Sequence, residues 1–362
     1  MRILMTTDTV GGVWTYSTEL TRALGKRNIE VVLAAMGGRA TKGQLRTLRG
    51  ISGLEYHEST YKLEWMENPW EDVAAAGEWL LGLQRQSNAH LAHINGYAHA
   101  ALRWDIPVVA VGHSCVYSWF HWVEKHSPPC EWESYRARVR IGLGAADCVV
   151  CPTHAMLHDL KSFYGPFRRN RVIANGRSSH DFIPGQKEHF IFGAGRLWDR
   201  AKNMELLAVI APRVPWPIMV AGSATHPSGG DVELCNVKML GQLDAERMGH
   251  CLSRASIYAA PARYEPFGLC ALEAGLAGCC LVLGDIPSYR EVWGESALFV
   301  SPDDPEAWTE ALVKLIRNPS LRMALAGAAR ERALQYGPEQ MAQSYHELYH
   351  RLLSPQTVEA PA

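Results

Sequence analysis

Two glutamates, Glu265 and Glu273, with seven residues between them, follow the apolar run 257–260. The run predicts a buried strand, and Pro266 and Gly268 predict a turn into a helix that begins near Gly268. The first backbone N–H groups of such a helix have no partner within it and carry the positive end of its dipole, which suits a phosphate. The two carboxylates could accept hydrogen bonds from hydroxyl groups beside that phosphate. A sugar nucleotide offers both kinds of group, although an ordinary strand-to-helix turn with two solvated glutamates is the alternative.

A second strand-to-helix loop carries cations. The strand predicted over 190–193 runs into a loop that contains Arg196 and Lys202, and a helix follows from Met204. An arginine that binds two oxygens and a lysine that acts as a point charge could neutralise a diphosphate leaving group. Arg200 lies between them, and we expect it to be solvated. A charged surface loop without a ligand is the alternative.

Two features of the first part of the chain could face these loops. Gly11 and Gly12 follow the first predicted strand and open a helix, so the backbone there could approach a pyrophosphate closely. The G-x-G-x-x-G pattern of nicotinamide-binding folds is absent. His113 ends the strand predicted over 108–113 and could hydrogen-bond a sugar hydroxyl or hold a backbone carbonyl toward the reacting carbon. A plain helix start and a strand-end histidine with structural partners are the alternatives.

The spacing of Cys148, Cys151, His154 and His158 resembles a zinc site. Positions 148 and 151 lie in one predicted strand, where residues three apart face opposite sides, so we expect no metal there. The sequence has no Asp-x-Asp pair, and we therefore expect no catalytic divalent cation bound to a sugar diphosphate.

Composition narrows the class of protein. A chain of 362 residues without a run of eighteen apolar residues predicts two soluble domains and no membrane span. The formal net charge of −1 gives no reason to expect a nucleic acid as a partner. Nine cysteines, often inside apolar runs, and the lack of a leader pattern after Met1 predict a cytoplasmic protein with reduced thiols.

The basic segment 39–49 would suit peripheral contact with a membrane, although a solvated helix face is the preferred interpretation. Trp14, Trp119 and Trp122 lie near the expected cleft loops and could stack on a sugar or an apolar acceptor.

Short apolar runs alternate with amphipathic stretches, a pattern typical of parallel sheets covered on both faces. Strands are predicted at 3–6, 31–35, 90–95, 108–113 and 148–151, and in a second series at 190–193, 218–221, 237–241, 257–260 and 280–283. Helices are predicted, among others, at 14–26, 70–86, 305–317, 319–336 and 338–353. We therefore expect an N-terminal domain at 1–184 that acquires the helix at 338–354, a C-terminal domain at 185–337 and a disordered tail at 355–362. Because open parallel sheets bind ligands at the carboxyl ends of their strands, two facing sheets would enclose a cleft.

Taken together, the motifs resemble the retaining glycosyltransferases of family 4, the "group 1" family with the GT-B fold, over nearly the whole chain. Residues 265–273 are similar to the E-x7-E signature of that family, residues 195–203 to its phosphate-binding loop, and Gly11-Gly12 to its first glycine loop. Further matches are Ala146-Asp147, Asn175-Gly176, Gly241 after Val237-Lys-Met-Leu240, and Gly284-Asp-Ile-Pro-Ser288 with Glu291-Val292. After Asn-Gly the family usually has an aliphatic residue and an aspartate, whereas this chain has Arg177-Ser-Ser-His180 before Asp181. This departure leaves the contacts on the hinge side open.

The resemblance implies an α/β protein of the GT-B type, with two Rossmann-like, doubly wound parallel-sheet domains facing a cleft and a last helix that crosses back to the first domain. It implies that Arg196 and Lys202 bind the donor diphosphate, that Glu273 binds the ribose hydroxyls, that Glu265 binds a hydroxyl of the transferred sugar, and that His113 is the cleft histidine of the family. By the same resemblance, Phe267, Gly268 and Leu269 contribute backbone contacts to the donor, and Leu240 belongs to the donor-binding residues.

Family membership also implies retention of the anomeric configuration and a nucleoside-diphosphate sugar of the UDP or GDP type as co-substrate, with no further cofactor. No side chain is an obvious covalent nucleophile, so we expect a front-face mechanism in which the departing phosphate accepts the acceptor's proton. A bacterial-type enzyme of carbohydrate biosynthesis is the expected class. A sugar-nucleotide epimerase or hydrolase, a phosphorylase with lysine-bound pyridoxal phosphate, and a catalytically silent nucleotide-sugar-binding protein are the alternatives. The candidate acceptors are a cell-surface glycan, a lipid-linked sugar and a small molecule.

Overall fold

The structure is a computed structural model that describes residues 1–226 and 229–354. Within these residues the strands form two parallel sheets that share no strand. The strands of the first sheet are β1 (Arg2–Asp8), β2 (Glu30–Met36), β3 (Leu54–Glu58), β4 (Leu91–Ile94), β5 (Val108–Val111), β6 (Cys148–Cys151) and β7 (Asn170–Val172). The strands of the second sheet are β8 (Glu188–Ala194), β9 (Ile218–Ala221), β10 (Lys238–Met239), β11 (Ala255–Ala260), β12 (Cys280–Gly284) and β13 (Leu298–Val300).

The strand order is β3-β2-β1-β4-β5-β6-β7 in the first sheet and β10-β9-β8-β11-β12-β13 in the second. The helices are α1 (Gly12–Gly25), α2 (Lys42–Thr47), α3 (Trp70–Ser87), α4 (Val116–Trp119), α5 (Glu133–Ala145), α6 (His154–Tyr164), α7 (Met204–Ile210), α8 (Ala245–Arg254), α9 (Leu269–Leu276), α10 (Pro287–Trp293), α11 (Pro305–Arg317), α12 (Pro319–Ala333) and α13 (Pro338–Leu353). Each sheet has apolar clusters on both faces, as expected for doubly wound sheets.

All ten strands predicted from apolar runs are present, and the described residues contain three further strands that were missed. The missed strands are β3, β7 and β13, and each lies at the edge of its sheet. An edge strand is paired on one side only and is often partly solvated, so its sequence lacks the continuous apolar run of a central strand. Residues Leu54–Glu58, for example, are half-buried or exposed throughout.

The last helix crosses back onto the first sheet, as predicted. Along α13 the buried residues Met341, Tyr345 and Leu348 recur at the spacing of one helical face and join the core around β1 and α1. The expected boundary near residue 184 lies in the segment between β7 and β8, and its position stays a prediction. The predicted tail at 355–362 lies outside the described residues.

Helix α2, in the basic segment 39–49, has no buried residue, which agrees with a solvated helix face. Across residues 1–226 and 229–354, no helix combines the length and the apolar character that a membrane crossing requires.

Candidate active site

The turn between β11 and α9 requires the glycine at position 268. Gly268 has a φ of 90°, in the left-handed region that favours glycine, and a Cβ placed on it would lie 2.6 Å from Cε1 of Tyr289. Helix α9 begins at the next residue, Leu269, as the sequence predicts. The turn therefore presents the N-terminus of α9 at the carboxyl end of a fully buried strand.

Two predicted site residues from different loops meet in one ion pair. Nζ of Lys202 lies 2.6 Å from Oε2 of Glu265, and their side chains are 18% and 20% exposed. The hydroxyl of Ser288 donates to the backbone carbonyl of Glu265 and holds the turn in place. A donor diphosphate would therefore meet a lysine that already has an acidic partner, and it would compete with that partner for the ammonium group.

Arg196 lies on the same loop as Lys202 and is held by Asp199. Its Nη2 and Nε atoms donate to Oδ2 of Asp199 at 2.7 and 3.2 Å. Burial by itself would raise the pKa of Asp199, but the charges of Arg196 and Lys202 hold that pKa below its ordinary value. The other oxygen of Asp199 accepts from Trp119 Nε1 of the first domain at 3.1 Å. Asp199 was not among the predicted residues, although its place between two cations is a signal that could have identified it.

The glycine loop of the first domain faces these cations. A Cβ on Gly11 would lie 3.4 Å from Nη1 of Arg196, and one on Gly12 would lie 3.6 Å from Cδ1 of Leu269. Oδ1 of Asp8 accepts from the backbone N–H of Val10 and of Gly11 at 2.9 and 3.0 Å and so shapes the loop. Burial raises the pKa of Asp8, although those two hydrogen bonds and the charge of Arg196 oppose the shift. The N-termini of α1 and α9 thus face each other across the cleft, and Asp8 is a further residue that the sequence analysis missed.

His113 is oriented by Asn95, which follows β4. The amide nitrogen of Asn95 donates to the backbone carbonyl of Thr6 at 2.6 Å, so its Oδ1 is the atom that accepts from Nε2 of His113 at 2.8 Å. The proton of the imidazole is therefore on Nε2. Within the described part of the chain, Nδ1 of His113 has no hydrogen-bond partner, and it is left as an acceptor. Burial lowers the pKa of His113 to about 3, so the ring is neutral at physiological pH.

Glu273 is buried in α9 and pairs with Arg177, the residue that departs from the family pattern after Asn175-Gly176. Nε of Arg177 donates to Oε1 of Glu273 at 2.8 Å, and Nη1 donates to Oε1 of Glu19 on α1 at 2.6 Å. Burial disfavours the guanidinium charge, but the two carboxylates hold the pKa of Arg177 above its ordinary value. Glu273 is therefore held by Arg177 within α9, the helix that follows the turn at Gly268.

Two further predicted residues, Phe267 and Leu240, do not direct a side chain at the Lys202–Glu265 pair. The side chain of Phe267 is buried against Tyr336, so only its main chain could face a donor. Leu240 lines a cavity of about 540 Å³ that is formed by the second sheet and α8. The role of Leu240 in donor binding stays a prediction.

The expected aromatic stacking residues divide into two groups. Trp14 is buried in the core of the first domain and donates to Thr47, so the expectation that it could stack on a sugar is wrong. Trp119 and Trp122 lie near the interface between the domains, where Trp122 lines a cavity of about 310 Å³. The thiols of Cys148 and Cys151 belong to apolar clusters on opposite faces of the first sheet, as the spacing argument predicts.

Two facing parallel-sheet domains are the architecture of the GT-B fold, and comparison with known proteins identifies the family and with it the class of glycosyltransferases. Residues 10–179 match the family model "Glycosyltransferase Family 4", and residues 188–318 match "Glycosyl transferases group 1". The chain belongs to the group 1 glycosyltransferases of family 4.

Relatives and solved structures agree with this assignment. The D-inositol 3-phosphate glycosyltransferase of Corynebacterium jeikeium is 24% identical, over 96% of this chain and 93% of that protein. The phosphatidyl-myo-inositol mannosyltransferase of Mycobacterium leprae is 33% identical, over 34% of this chain and 33% of that protein. In fold, the chain is similar to sucrose-phosphate synthase from Thermosynechococcus elongatus, with a TM-score of 0.82, 19% identity and coverage of 97% of this chain and 99% of that one. It is also similar to Anabaena HepE in complex with UDP-glucose, with a TM-score of 0.75, 15% identity and coverage of 97% and 100%.

Proposed function

We propose that the protein is a cytoplasmic, retaining glycosyltransferase that transfers a sugar from a nucleoside-diphosphate sugar to a hydroxyl acceptor without a metal ion or a further cofactor. The observation that carries the proposal is the convergence of Arg196 and the Lys202–Glu265 pair with the facing N-termini of α1 and α9. Two cations and two helix N-termini suit a diphosphate. The adjacent carboxylate suits a sugar hydroxyl.

Each residue has a distinct role in this proposal. The donor diphosphate lies between the loop of Arg196 and Lys202 and the turn at Gly268, and it draws Lys202 toward its oxygens. Glu265 then accepts a hydrogen bond from a hydroxyl of the transferred sugar, and Nδ1 of His113 accepts one from another. Glu273 binds the ribose hydroxyls of the nucleotide.

In the reaction, the bond from the anomeric carbon to the diphosphate oxygen breaks, and the acceptor oxygen forms its bond on the same face of the sugar. The acceptor's proton passes to the departing phosphate oxygen. Arg196 and Lys202 stabilise the negative charge that develops on the diphosphate, which is where electrostatic stabilisation lowers the barrier most.

The donor is of the UDP or GDP type, and the acceptor is a hydroxyl compound. Because two relatives carry inositol in their names, inositol phosphates are the first acceptors to test. Lipid-linked sugars and cell-surface glycans follow.

The test is a donor screen followed by analysis of the product. A thermal-shift screen with nucleoside diphosphates selects the base, because a bound ligand raises the unfolding temperature by mass action. NMR of the anomeric signals, with and without acceptors, then follows the sugar. Formation of a new glycoside with the donor's anomeric configuration supports the proposal. Conversion or hydrolysis of the donor at the same rate without acceptor would favour an epimerase or a hydrolase, and binding without turnover across the acceptor panel would favour a silent binding protein.

A further inference from the structure

Arg177 lies in the segment that connects β7 to β8, between the two sheets, and its guanidinium group joins a carboxylate from each domain. Its side chain is 10% exposed, and those of its partners Glu19 and Glu273 are 8% and 9% exposed. The backbone N–H of Ser178 also donates to Oε2 of Glu19, at 3.3 Å, and the guanidinium lies 4.9 Å from the ring centroid of Phe182. The geometry of this arginine is therefore determined from several sides.

The two carboxylates belong to the two helices that face each other across the cleft. Glu19 lies on α1, which begins at Gly12, and Glu273 lies on α9, which begins at Leu269. Arg177 therefore pairs with one residue inside each helix, several residues after the N-termini that face each other. A shift of either helix would change the distance between Arg177 and one of its partners.

The hydrogen bonds leave one oxygen of Glu273 available. Arg177 occupies Oε1, whereas Oε2 has no partner among residues 1–226 and 229–354. An ionised carboxylate oxygen accepts a hydroxyl hydrogen bond well. If Arg177 were absent, two buried carboxylates would lack the cation that they share, and the side chain of Glu273 would no longer be held in this orientation.

We propose that Arg177 is a positioning residue that holds Glu273 with Oε2 directed at the ribose hydroxyls of the donor, and that it links this orientation to Glu19 in the first domain. The inference rests on the proposed function, because it takes Glu273 as the group that binds ribose. It also assigns the unusual residue after Asn175-Gly176 to donor recognition. An arginine that served only as a strut between domains would have no effect on the choice between ribose and deoxyribose.

The test compares the affinity of a nucleoside diphosphate with the affinities of its 2′-deoxy and 3′-deoxy forms, by isothermal titration calorimetry. The base is the one selected by the thermal-shift screen. In the wild-type chain, the loss of a hydroxyl that donates to a carboxylate should weaken binding roughly 10- to 100-fold. In Arg177→Leu the ribose form should lose most of that advantage, whereas the affinity of the matching deoxy form should stay close to the wild-type value. Arg177→Lys should restore part of the preference, because lysine supplies the charge but not the two-sided geometry.

Two further variants keep the experiment decisive. Arg213→Leu removes an exposed arginine that pairs with Glu306 on the surface, and it should leave the preference for ribose unchanged. If Arg177→Leu does not fold, the double variant Glu19→Leu/Arg177→Leu is titrated in its place, because it lacks one carboxylate together with the cation.

Each remaining outcome contradicts a defined part of the reasoning. A folded Arg177 variant that keeps the full preference for ribose, or that binds the ribose and deoxy forms equally more weakly, would reduce Arg177 to a strut and overturn the inference. Wild-type protein that binds diphosphates but does not distinguish the deoxy forms would overturn the placement of Glu273 on the ribose. Wild-type protein that binds no nucleoside diphosphate would overturn the proposed function itself.

Discussion

Replacement of Lys202 by methionine removes the ammonium group that we place beside the departing diphosphate, and it keeps most of the side-chain volume. Because Lys202 is only 18% exposed, its charge acts through a medium less polarisable than water. Two unit charges about 4 Å apart interact by about 4 kcal/mol at an effective dielectric constant of 20, against about 1 kcal/mol in bulk water. Removal of one preorganised charge stabiliser typically costs about 2.7 to 4 kcal/mol, or roughly 10²- to 10³-fold in kcat. We therefore expect Lys202→Met to lower kcat by about that factor.

The assay measures release of nucleoside diphosphate at saturating donor and acceptor, together with thermal unfolding. The substitution also leaves Glu265 without its partner, so a loss of stability could imitate a loss of catalysis. The double variant Lys202→Met/Glu265→Gln removes the unpaired charge and should recover stability but not turnover. Lys314→Met, an exposed lysine on α11, is the matched control and should behave as the wild type. Turnover of Lys202→Met equal to that of the control would refute our placement of the diphosphate.

Three other predictions concern the turn, the ribose and pH. Gly268→Ala places a methyl group 2.6 Å from Tyr289 at a φ of 90°, so the free energy of unfolding should fall by about 1 to 3 kcal/mol in urea titrations; an unchanged midpoint would contradict the strain argument. Glu273→Ala should raise the donor KM roughly tenfold or more with a smaller change in kcat, and an unchanged KM would remove Glu273 from the donor site. Burial lowers the pKa of His93 to about 3, below its unfolded value near 6.5, so its contribution to stability is complete above about pH 6.5 and declines as the pH falls toward 3. Because burial also lowers the pKa of His113 to about 3, His93→Gln should reduce the slope of the stability profile in this range without abolishing it, in urea titrations at several pH values. An equal slope in both proteins would exclude His93 as a source.

The central strands and the loops at their carboxyl ends were predictable because both depend on short stretches of sequence. An apolar run of four to six residues indicates a buried parallel strand, and the residues that follow it lie at the edge of the sheet where ligands bind. This rule located Arg196, Lys202, Gly268 and His113 without knowledge of the tertiary contacts. It missed the edge strands, because half-solvated strands such as Leu54–Glu58 do not form apolar runs.

The partners of these residues were mostly not predictable. Asp199 stands between two predicted cations, and Asp8 follows a predicted strand, so each carried a signal of its own. Asn95 ends a predicted strand and shared the positional signal of Asp8, whereas Glu19 carried none, since a glutamate within a helix has many ordinary uses. Their roles come from hydrogen bonds to residues far along the chain, such as the 158 residues that separate Glu19 from Arg177.

The sequence by itself determined the two-sheet architecture and the positions of the charged and glycine loops that we propose bind a sugar nucleotide, because local patterns of burial and turn chemistry encode them. Only the tertiary structure decided how those groups are paired. Lys202 and Glu265 are 63 residues apart and share one ion pair, and Glu273 and Arg177 are 96 residues apart and share another. The physical reason is that a charge in a partly buried cleft requires a counter-ion from whichever element packs beside it, and that neighbour is set by the packing of the domains rather than by the chain.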